Sequence, residues 1–312
     1  MTALAQAARQ LATLIRQGEA DGGPLHHRAD ALFRDALRDA GIRWYACDGQ
    51  DDARELSPSG DLAVALDPLE GDGDGAASRC TTFDTNIDTN TVVGTIFSVF
   101  AAADTAGASF LRPARDQLAA GYVIYGPACC LVVTFGAGTR MYRLNPDSGV
   151  FEPVRDRVVL DGCSAEFAIN AANYRHWPSP VRAYIDDCLA GVDGPREQNF
   201  NMRWTASLVA ETHRILMRGG IYLYPPDSRK GCEKGRLRMV HQCAPIAFVV
   251  EQAGGRATNG SESILAGRAG SLQERTPFVF GSGDKVDRVA AYHDLPEPEV
   301  SALFGNRGLF RA

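Results

Sequence analysis

A buried strand that leads directly into two acidic residues is the feature that most constrains this chain. The apolar run Leu62-Ala63-Val64-Ala65-Leu66 predicts the strand, and Asp67-Pro68-Leu69-Glu70-Gly71 follows it without a gap. Proline cannot donate a hydrogen bond to a sheet, so we expect pairing to stop at Asp67-Pro68. Both acidic side chains and the Leu69 carbonyl then turn toward one point. Such oxygen atoms suit Mg²⁺, although an ordinary acid pair at a strand end shows the same short pattern.

Charge and composition argue against two classes of partner. The 312 residues carry a formal net charge of −6 and contain no long run of Lys or Arg. We therefore expect no nucleic acid partner, because nucleic acid binding needs clustered positive charge. No stretch approaches the roughly 18 consecutive apolar residues of a membrane helix, so we also expect no membrane partner. Eight scattered cysteines without a metal-binding spacing are typical of a reduced, cytoplasmic protein.

Two helices are predicted before the first strand. Apolar residues at helical spacing in positions 1–17 favour the first helix of the fold. The same segment contains arginine and no acid, which also resembles an organelle presequence. A second helix is expected from Pro24 to just before Gly41, with Asp30 at the edge of its apolar face.

The two halves of the chain differ in their strand pattern. Apolar runs separated by turn residues favour a largely antiparallel or mixed sheet in the first half, at residues 42–47, 62–66, 92–100, 121–125, 129–135 and 140–144. Strands and helices alternate in the second half, with strands ending at Asn170 and Tyr224 and helices after Pro180, near 205–218 and near 245–253. The pattern predicts an α/β fold in two halves with mixed sheets, residues 1–158 and 159–312.

Blocks of sequence spread over most of the chain carry a resemblance to a known family. They are residues 65–71, 86–98, 121–126, 168–170, 203–214, 219–225 and 245–255. In this order and spacing they resemble the class I fructose-1,6-bisphosphatases. The resemblance implies a layered αβαβα sandwich of the sugar phosphatase type, in which residues 1–158 bind metal and residues 159–312 bind the sugar phosphate.

The same resemblance implies an activity, a cofactor and an assembly. The family hydrolyses the 1-phosphate of fructose 1,6-bisphosphate in the cytoplasm, giving fructose 6-phosphate and phosphate in gluconeogenesis or the Calvin cycle. It uses two or three Mg²⁺ ions, for which Mn²⁺ can substitute, and its members are usually homotetramers. Paired divalent ions suit this chemistry because they neutralise the phosphoryl oxygens, lower the pKa of a bound water and stabilise the leaving alkoxide.

Residue by residue, the resemblance implies a metal end and a distal end of one site. The expected metal ligands are Asp48, Asp67, the Leu69 carbonyl, Glu70 and Gln242. Asp30 and Asp48 are expected to help activate the attacking water. The expected substrate contacts are Gly71, Asn170, Arg203, Trp204, Tyr222, Tyr224 and Arg236. Arg203 is expected to reach the active site of a neighbouring subunit.

Four departures from the family pattern fall at the metal end. Gly49 stands in place of a second acid, Gln242 in place of a ligand glutamate, and Glu70 in place of an aspartate. A carboxamide oxygen carries no charge, so it binds Mg²⁺ more weakly than a carboxylate. An insertion of about residues 72–84 interrupts the loop expected to hold the reacting phosphate. Its acids either repel that phosphate or replace the missing metal charge.

The distal end departs from the family pattern at two positions, where Trp204 replaces a tyrosine and Arg236 replaces a lysine. The indole N–H donates one hydrogen bond and accepts none, so the exchange at Trp204 predicts a weaker contact with substrate. Arg236 keeps the positive charge but changes its shape.

These departures leave three functions open. The first is an Mg²⁺-dependent fructose-1,6-bisphosphatase, with sedoheptulose 1,7-bisphosphate as a second candidate substrate. The second is a catalytically weakened or inactive paralogue that binds sugar phosphates as a sensor or assembly subunit. The third is an inositol-phosphate-type phosphatase, but Asn170, Arg203 and Tyr224 fit a second phosphate on a furanose better.

Overall fold

The computed structural model describes residues 1–18, 24–71, 86, 87 and 89–294. The α-helices in these ranges are α1 (Thr2–Gln17), α2 (Leu25–Asp39), α3 (Ala106–Phe110), α4 (Ser179–Leu189), α5 (Leu208–Arg218), α6 (Ala244–Gln252) and α7 (Gly283–Asp294). The first eight strands are β1 (Trp44–Cys47), β2 (Arg54–Glu55), β3 (Leu62–Glu70), β4 (Val93–Ala101), β5 (Ala119–Tyr125), β6 (Cys129–Thr134), β7 (Thr139–Leu144) and β8 (Phe151–Val158). The later strands are β9 (Glu166–Ala168), β10 (Asn201–Met202), β11 (Ile221–Tyr224), β12 (Leu237–Arg238), β13 (Arg256–Thr258), β14 (Arg275–Thr276) and β15 (Phe278–Gly281).

The strands form two mixed sheets, as the sequence predicts. The larger sheet has the order β2-β1-β3-β4-β5-β6-β7-β8, in which β1 and β3 run parallel and the other neighbours run antiparallel. The smaller sheet has the order β10-β9-β11-β15-β13, with β9 parallel to both β10 and β11. Strand β15 runs antiparallel to its neighbours β11 and β13. Strands β12 and β14 form a separate antiparallel pair.

Alternate side chains of β3 enter two different cores. Val64 and Leu66 belong to the core beneath α1 and α2, whereas Ala63 and Ala65 belong to the core that contains α5 and α6. Because both faces of the strand are covered, its residues 62–66 are all apolar instead of alternating with polar residues. A third core lies between the smaller sheet and helices α4 and α7. The layers therefore follow the αβαβα order that the resemblance implies.

Strand β3 continues past Asp67-Pro68, so the predicted end of pairing at this point is wrong. It pairs with β4 on both sides of a bulge between Asp67 and Glu70. The bulge accommodates Pro68, whose carbonyl accepts a hydrogen bond from the Thr95 hydroxyl at 2.8 Å. Residue pairing with β1 does stop at Leu66. The segment from Asp67 to Glu70 therefore extends beyond the end of β1.

The two N-terminal helices agree with the prediction. Helix α1 buries Leu4, Ala8 and Leu11 in the same core as α2. Helix α5 begins slightly later than expected because the Ser207 hydroxyl accepts the Ala210 N–H at 3.2 Å and caps the helix. None of the helices in the described ranges combines the length and apolarity needed to cross a membrane.

Candidate active site

Two acids lie at the ends of neighbouring parallel strands. Asp48 follows β1, and Asp67 lies next to Leu66, the last β3 residue paired with β1. Both side chains are therefore at the same edge of the sheet. Asp67 is only 4% exposed. Burial raises the pKa of Asp67 well above its ordinary range, and the nearby Asp48 charge raises it further. The pair concentrates negative charge at a buried point, which favours a proton or a cation there.

One segment of the second half supplies partners for both acids. Strand β12 leads into a single π-helical turn, Met239–Cys243, before α6. Arg238 Nε lies 2.9 Å from Asp48 Oδ1, and Gln242 Nε2 donates to Asp67 Oδ2 at 2.8 Å. The Gln242 oxygen accepts the Arg238 backbone N–H at 3.0 Å, which fixes the orientation of the amide. Gln242, expected as a metal ligand, thus turns an N–H group toward Asp67.

Glu70 is bound to the first turn of α5. One carboxylate oxygen accepts the Leu208 N–H at 2.7 Å, and the other accepts the Ser207 hydroxyl at 2.8 Å and the Val209 N–H at 3.2 Å. Burial raises the pKa of Glu70, while these three hydrogen bonds oppose the rise. The N-terminus of a helix also favours a negative charge. Glu70, which replaces an aspartate of the family pattern, therefore joins β3 to the second half of the chain.

Asp30 approaches the same region from α2. Its Oδ1 accepts a hydrogen bond from the Tyr45 hydroxyl at 2.7 Å, and its Oδ2 accepts one from Arg34 Nη1 at 3.2 Å. Burial raises the pKa of Tyr45 well above its ordinary range, with smaller contributions from the neighbouring Cys47 and Asp30. Tyr45 therefore remains a hydrogen-bond donor. Two fixed contacts hold the Asp30 carboxylate in one orientation, which suits a group that accepts a proton from water.

A cavity of about 480 Å³ brings most of the expected residues together. The eleven expected residues that line it are Asp30, Asp48, Asp67, Leu69, Glu70, Gly71, Trp204, Tyr222, Tyr224, Arg236 and Gln242. They come from α2, the ends of β1 and β3, β11, and the segments before α5 and α6. The cavity therefore lies where the edge of the larger sheet meets the second half of the chain.

Aromatic rings form a second part of the cavity wall, lined by Trp204, Tyr222 and Tyr224 and called the aromatic end. The Trp204 ring stacks on Tyr222, with ring centroids 6.0 Å apart and an angle of 14° between the planes. Tyr224 is tilted against both rings. The Tyr224 hydroxyl accepts a hydrogen bond from Arg236 Nη1 at 3.3 Å. This end presents flat apolar faces together with a cation and a hydroxyl, which suits a sugar that carries a phosphate.

Asn170 and Arg203 do not line this cavity. Asn170 lies in an adjacent small recess that also includes Tyr224, and its side chain accepts the Ala172 N–H at 3.2 Å. The Arg203 side chain is 54% exposed, and its Nε lies 3.5 Å from Glu166 Oε1. Arg203 thus occupies the surface and contributes nothing to the cavity of its own chain.

The part of the cavity lined by Asp48, Asp67 and Glu70 is called the acid end, and its oxygen atoms fit a divalent cation in part. Asp48, Asp67 and the Leu69 carbonyl offer the oxygen atoms that Mg²⁺ prefers. A cation there would also relieve the repulsion that raises the pKa of Asp67. Glu70 and Gln242, in contrast, are bound to other partners. Within the ranges that the structure describes, no group of three or more His, Cys, Asp and Glu side chains is arranged to hold a metal ion.

Comparison with known proteins identifies the family. A model of the N-terminal domain of fructose-1-6-bisphosphatase matches residues 24–156, and a model of its C-terminal domain matches residues 161–294. The chain belongs to the fructose-1,6-bisphosphatase family. It is 59% identical to the class 1 fructose-1,6-bisphosphatase of Paracoccus denitrificans (strain Pd 1222), covering 100% of this chain and 94% of that relative.

A second relative and a solved structure agree with membership of the fructose-1,6-bisphosphatase family. A class 1 enzyme of that name from Cereibacter sphaeroides (strain ATCC 17029 / ATH 2.4.9) is also 59% identical, over 91% of this chain and 82% of the relative. The crystal structure of Leishmania major fructose-1,6-bisphosphatase in holo form superposes with a TM-score of 0.84 at 27% identity, over 95% of this chain and 92% of that chain. The resemblance seen in the sequence is confirmed, and the chain is a phosphoric monoester hydrolase.

The sequence analysis misses several residues that line the cavity, among them the basic residues His26, Arg238 and Arg275. Arg238 does carry a signal, because it lies two residues after Arg236 and alternate residues of an extended segment share a face. Arg275 pairs with Arg238 across β12 and β14, which only the fold reveals. We find no local signal for His26. The insertion expected at residues 72–84 lies outside the described residues.

Proposed function

We propose that this chain hydrolyses the 1-phosphate of fructose 1,6-bisphosphate, giving fructose 6-phosphate and phosphate, in the cytoplasm. The supporting observation is one cavity lined both by acids and by aromatic rings together with Arg236. A sugar with a phosphate at each end needs two such chemically different ends. Sedoheptulose 1,7-bisphosphate has the same two-ended character and is proposed as a second substrate. Gluconeogenesis or the Calvin cycle is the proposed pathway.

The acid end would bind the reacting phosphate through Mg²⁺, with Mn²⁺ as a substitute. Asp48, Asp67 and the Leu69 carbonyl would hold the ion. When bound, it would supply positive charge for the phosphoryl oxygens and lower the pKa of a bound water. Without such a cation, two carboxylates would repel a phosphate. The charge of this end therefore supports a metal-dependent reaction.

Asp30 would accept the proton of the attacking water. It lines the cavity, and its contacts with Tyr45 and Arg34 hold its carboxylate in place. A proton acceptor must be positioned within hydrogen-bond reach of the water in the bound complex. Asp48 would help Asp30 in this step from the adjacent strand end.

The distal phosphate and the sugar would bind at the aromatic end. Arg236 and Tyr224 offer a positive charge and a hydroxyl, and Asn170 lies beside Tyr224 in the adjoining recess. Trp204 and Tyr222 offer ring faces for the carbon skeleton. Gly71 lies at the acid end and would contact the substrate through its backbone.

Arg203 would serve the active site of a neighbouring subunit in a homotetramer. Its side chain is exposed and lies outside the cavity of its own chain. An exposed guanidinium can bind an anion that another subunit presents. The same exposure makes this part of the proposal testable separately from catalysis within one chain.

A second candidate function is a weakened or inactive paralogue that binds sugar phosphates. The hydrogen bonds of Glu70 and Gln242 favour this alternative, because both residues were expected as metal ligands. Such a protein would keep the aromatic end and bind fructose 6-phosphate without turnover.

Phosphate release from fructose 1,6-bisphosphate separates the two functions. We expect turnover with Mg²⁺ or Mn²⁺, and we expect Asp67→Asn to reduce kcat by roughly 10²- to 10³-fold because it removes charge at the reacting centre. Asp193→Asn, the same change at an exposed position outside the cavity, is the control and should leave turnover intact.

Binding of fructose 6-phosphate, measured by calorimetry on the same samples, completes the test. If the unmodified chain binds fructose 6-phosphate but releases no phosphate with Mg²⁺ and none with Mn²⁺, the hydrolase proposal is overturned and the paralogue is supported. Turnover that survives Asp67→Asn would instead refute the proposed acid end.

A further inference from the structure

Among the described carboxylates that line the cavity, Asp48, Asp67 and Glu70 each have a partner from the second half of the chain. Asp48 faces the Arg238 guanidinium, Asp67 faces the Gln242 amide, and Glu70 accepts hydrogen bonds from the first turn of α5. Two of these partners lie in the short segment 238–242. The segment therefore acts on two acids at once.

The Arg238 guanidinium is held in position from both sides. Its Nε and Nη1 lie 2.9 Å and 3.4 Å from the two oxygens of Asp48. Its Nε also donates to Gln273 Oε1, and Gln273 in turn donates to the Gln50 carbonyl after β1. The Arg238 side chain is only 12% exposed. A fixed and largely buried guanidinium places a permanent positive charge beside Asp48, since arginine does not lose its proton in proteins.

The Gln242 side chain reinforces this arrangement with a neutral donor. Its oxygen is taken by the Arg238 N–H, so its NH₂ group must face Asp67. A carboxylate at this position would instead add negative charge next to Asp67. The exchange of acid for amide and the placement of Arg238 therefore both lower the net negative charge available for cations.

We propose that the Arg238 guanidinium takes the place of one divalent ion, so that the acid end binds a single divalent ion per chain through Asp67 and Asp48. This inference rests on the proposed function and departs from the two or three ions that the resemblance implies. Glu70 adds no ligand, because α5 uses both of its oxygens. Two divalent ions and the guanidinium would place five positive charges beside the Asp48 and Asp67 carboxylates, whereas a single ion and the guanidinium place three.

Mn²⁺ binding without substrate tests this inference. Equilibrium dialysis, with free Mn²⁺ followed by electron paramagnetic resonance, gives the number of ions per chain. We expect one ion per chain for the unmodified protein. We expect two ions per chain for each of the single variants Gln242→Glu and Arg238→Met, because each variant makes the site more negative by one charge. Gln252→Glu and Arg256→Met make the same changes outside the cavity and should leave the number at one.

Two or more ions on the unmodified chain would overturn the inference, as would a single ion on both site variants. Thermal unfolding followed by circular dichroism shows whether the Arg238→Met variant is folded. If it is not, the number of ions bound by Gln242→Glu alone decides the result. The dialysis measures no turnover. A chain that binds one Mn²⁺ but releases no phosphate would therefore contradict the proposed function while leaving this inference intact.

Discussion

The two ends of the cavity are held together by different interactions. At the acid end, strand-end carboxylates of the first half are bound by Arg238, Gln242 and the N-terminus of α5, all from the second half. At the aromatic end, Tyr222 stacks on Trp204 and on Phe280 of the smaller sheet, and Tyr224 is tilted against Trp204 and Tyr222. A buried polar group is destabilised by the loss of any hydrogen-bond partner, whereas stacked rings keep most of their packing when one polar atom is removed. Small changes should therefore have larger effects at the acid end.

The largest effect on stability is expected for Glu70→Ala. This change leaves the hydroxyl of Ser207 and the N–H groups of Leu208 and Val209 without their acceptor in a buried place. We expect a loss of about 2–4 kcal/mol in the free energy of unfolding, measured with urea. A loss of this size would show that the acid end joins the two halves of the chain.

Glu55→Ala is the matched control on the same sheet. Glu55 forms an ion pair with Arg43 at 3.1 Å, and its side chain is 38% exposed. An exposed pair of this kind contributes roughly 0.2–1 kcal/mol. Equal losses for the two variants would contradict the structural role assigned to Glu70.

The difference between the two ends also explains which residues of the site can be predicted from the sequence and which cannot. Asp48 and Asp67 can be recognised because strand ends are local features, and Tyr222 and Tyr224 alternate along β11 so that both line the cavity. The partner of Glu70 lies more than a hundred residues away, at Leu208. No local pattern encodes such a contact, because it depends on how the two halves pack.

Two errors in the predicted elements have the same cause. Pairing beyond Asp67-Pro68 depends on a bulge against β4, which the proline alone does not reveal. Strand β8 is absent from the prediction because its side chains are almost all exposed and include several charges. Without a buried face it shows no apolar period, and only its pairing with β7 makes it a strand.

A smaller, substrate-specific effect is expected for Arg236→Met at the aromatic end. The methionine retains much of the side-chain length but removes the charge proposed for the distal phosphate. We expect KM for fructose 1,6-bisphosphate to rise about 10- to 100-fold, since a hydrogen bond to a charged group contributes about 1.5–3 kcal/mol. The free energy of unfolding should change much less than in Glu70→Ala. Arg236→Lys keeps the charge and should restore most of the affinity; failure to do so would show that the shape of the guanidinium matters more than its charge.

The smallest effect is expected at Trp204, where the ring and the polar atom can be tested separately. Trp204→Phe keeps a ring against Tyr222 but removes the indole N–H, and Trp204→Tyr restores a hydroxyl that both donates and accepts. If stacking dominates this end, the hydrogen bond should contribute only the lower part of the roughly 0.5–1.5 kcal/mol of a neutral hydrogen bond, so KM should change by no more than about 3-fold in either variant. Steady-state kinetics on both variants measures this. A tenfold or greater fall in KM for Trp204→Tyr alone would mean that the hydroxyl, and not the ring, governs binding, and the contrast between the two ends of the cavity would then be wrong.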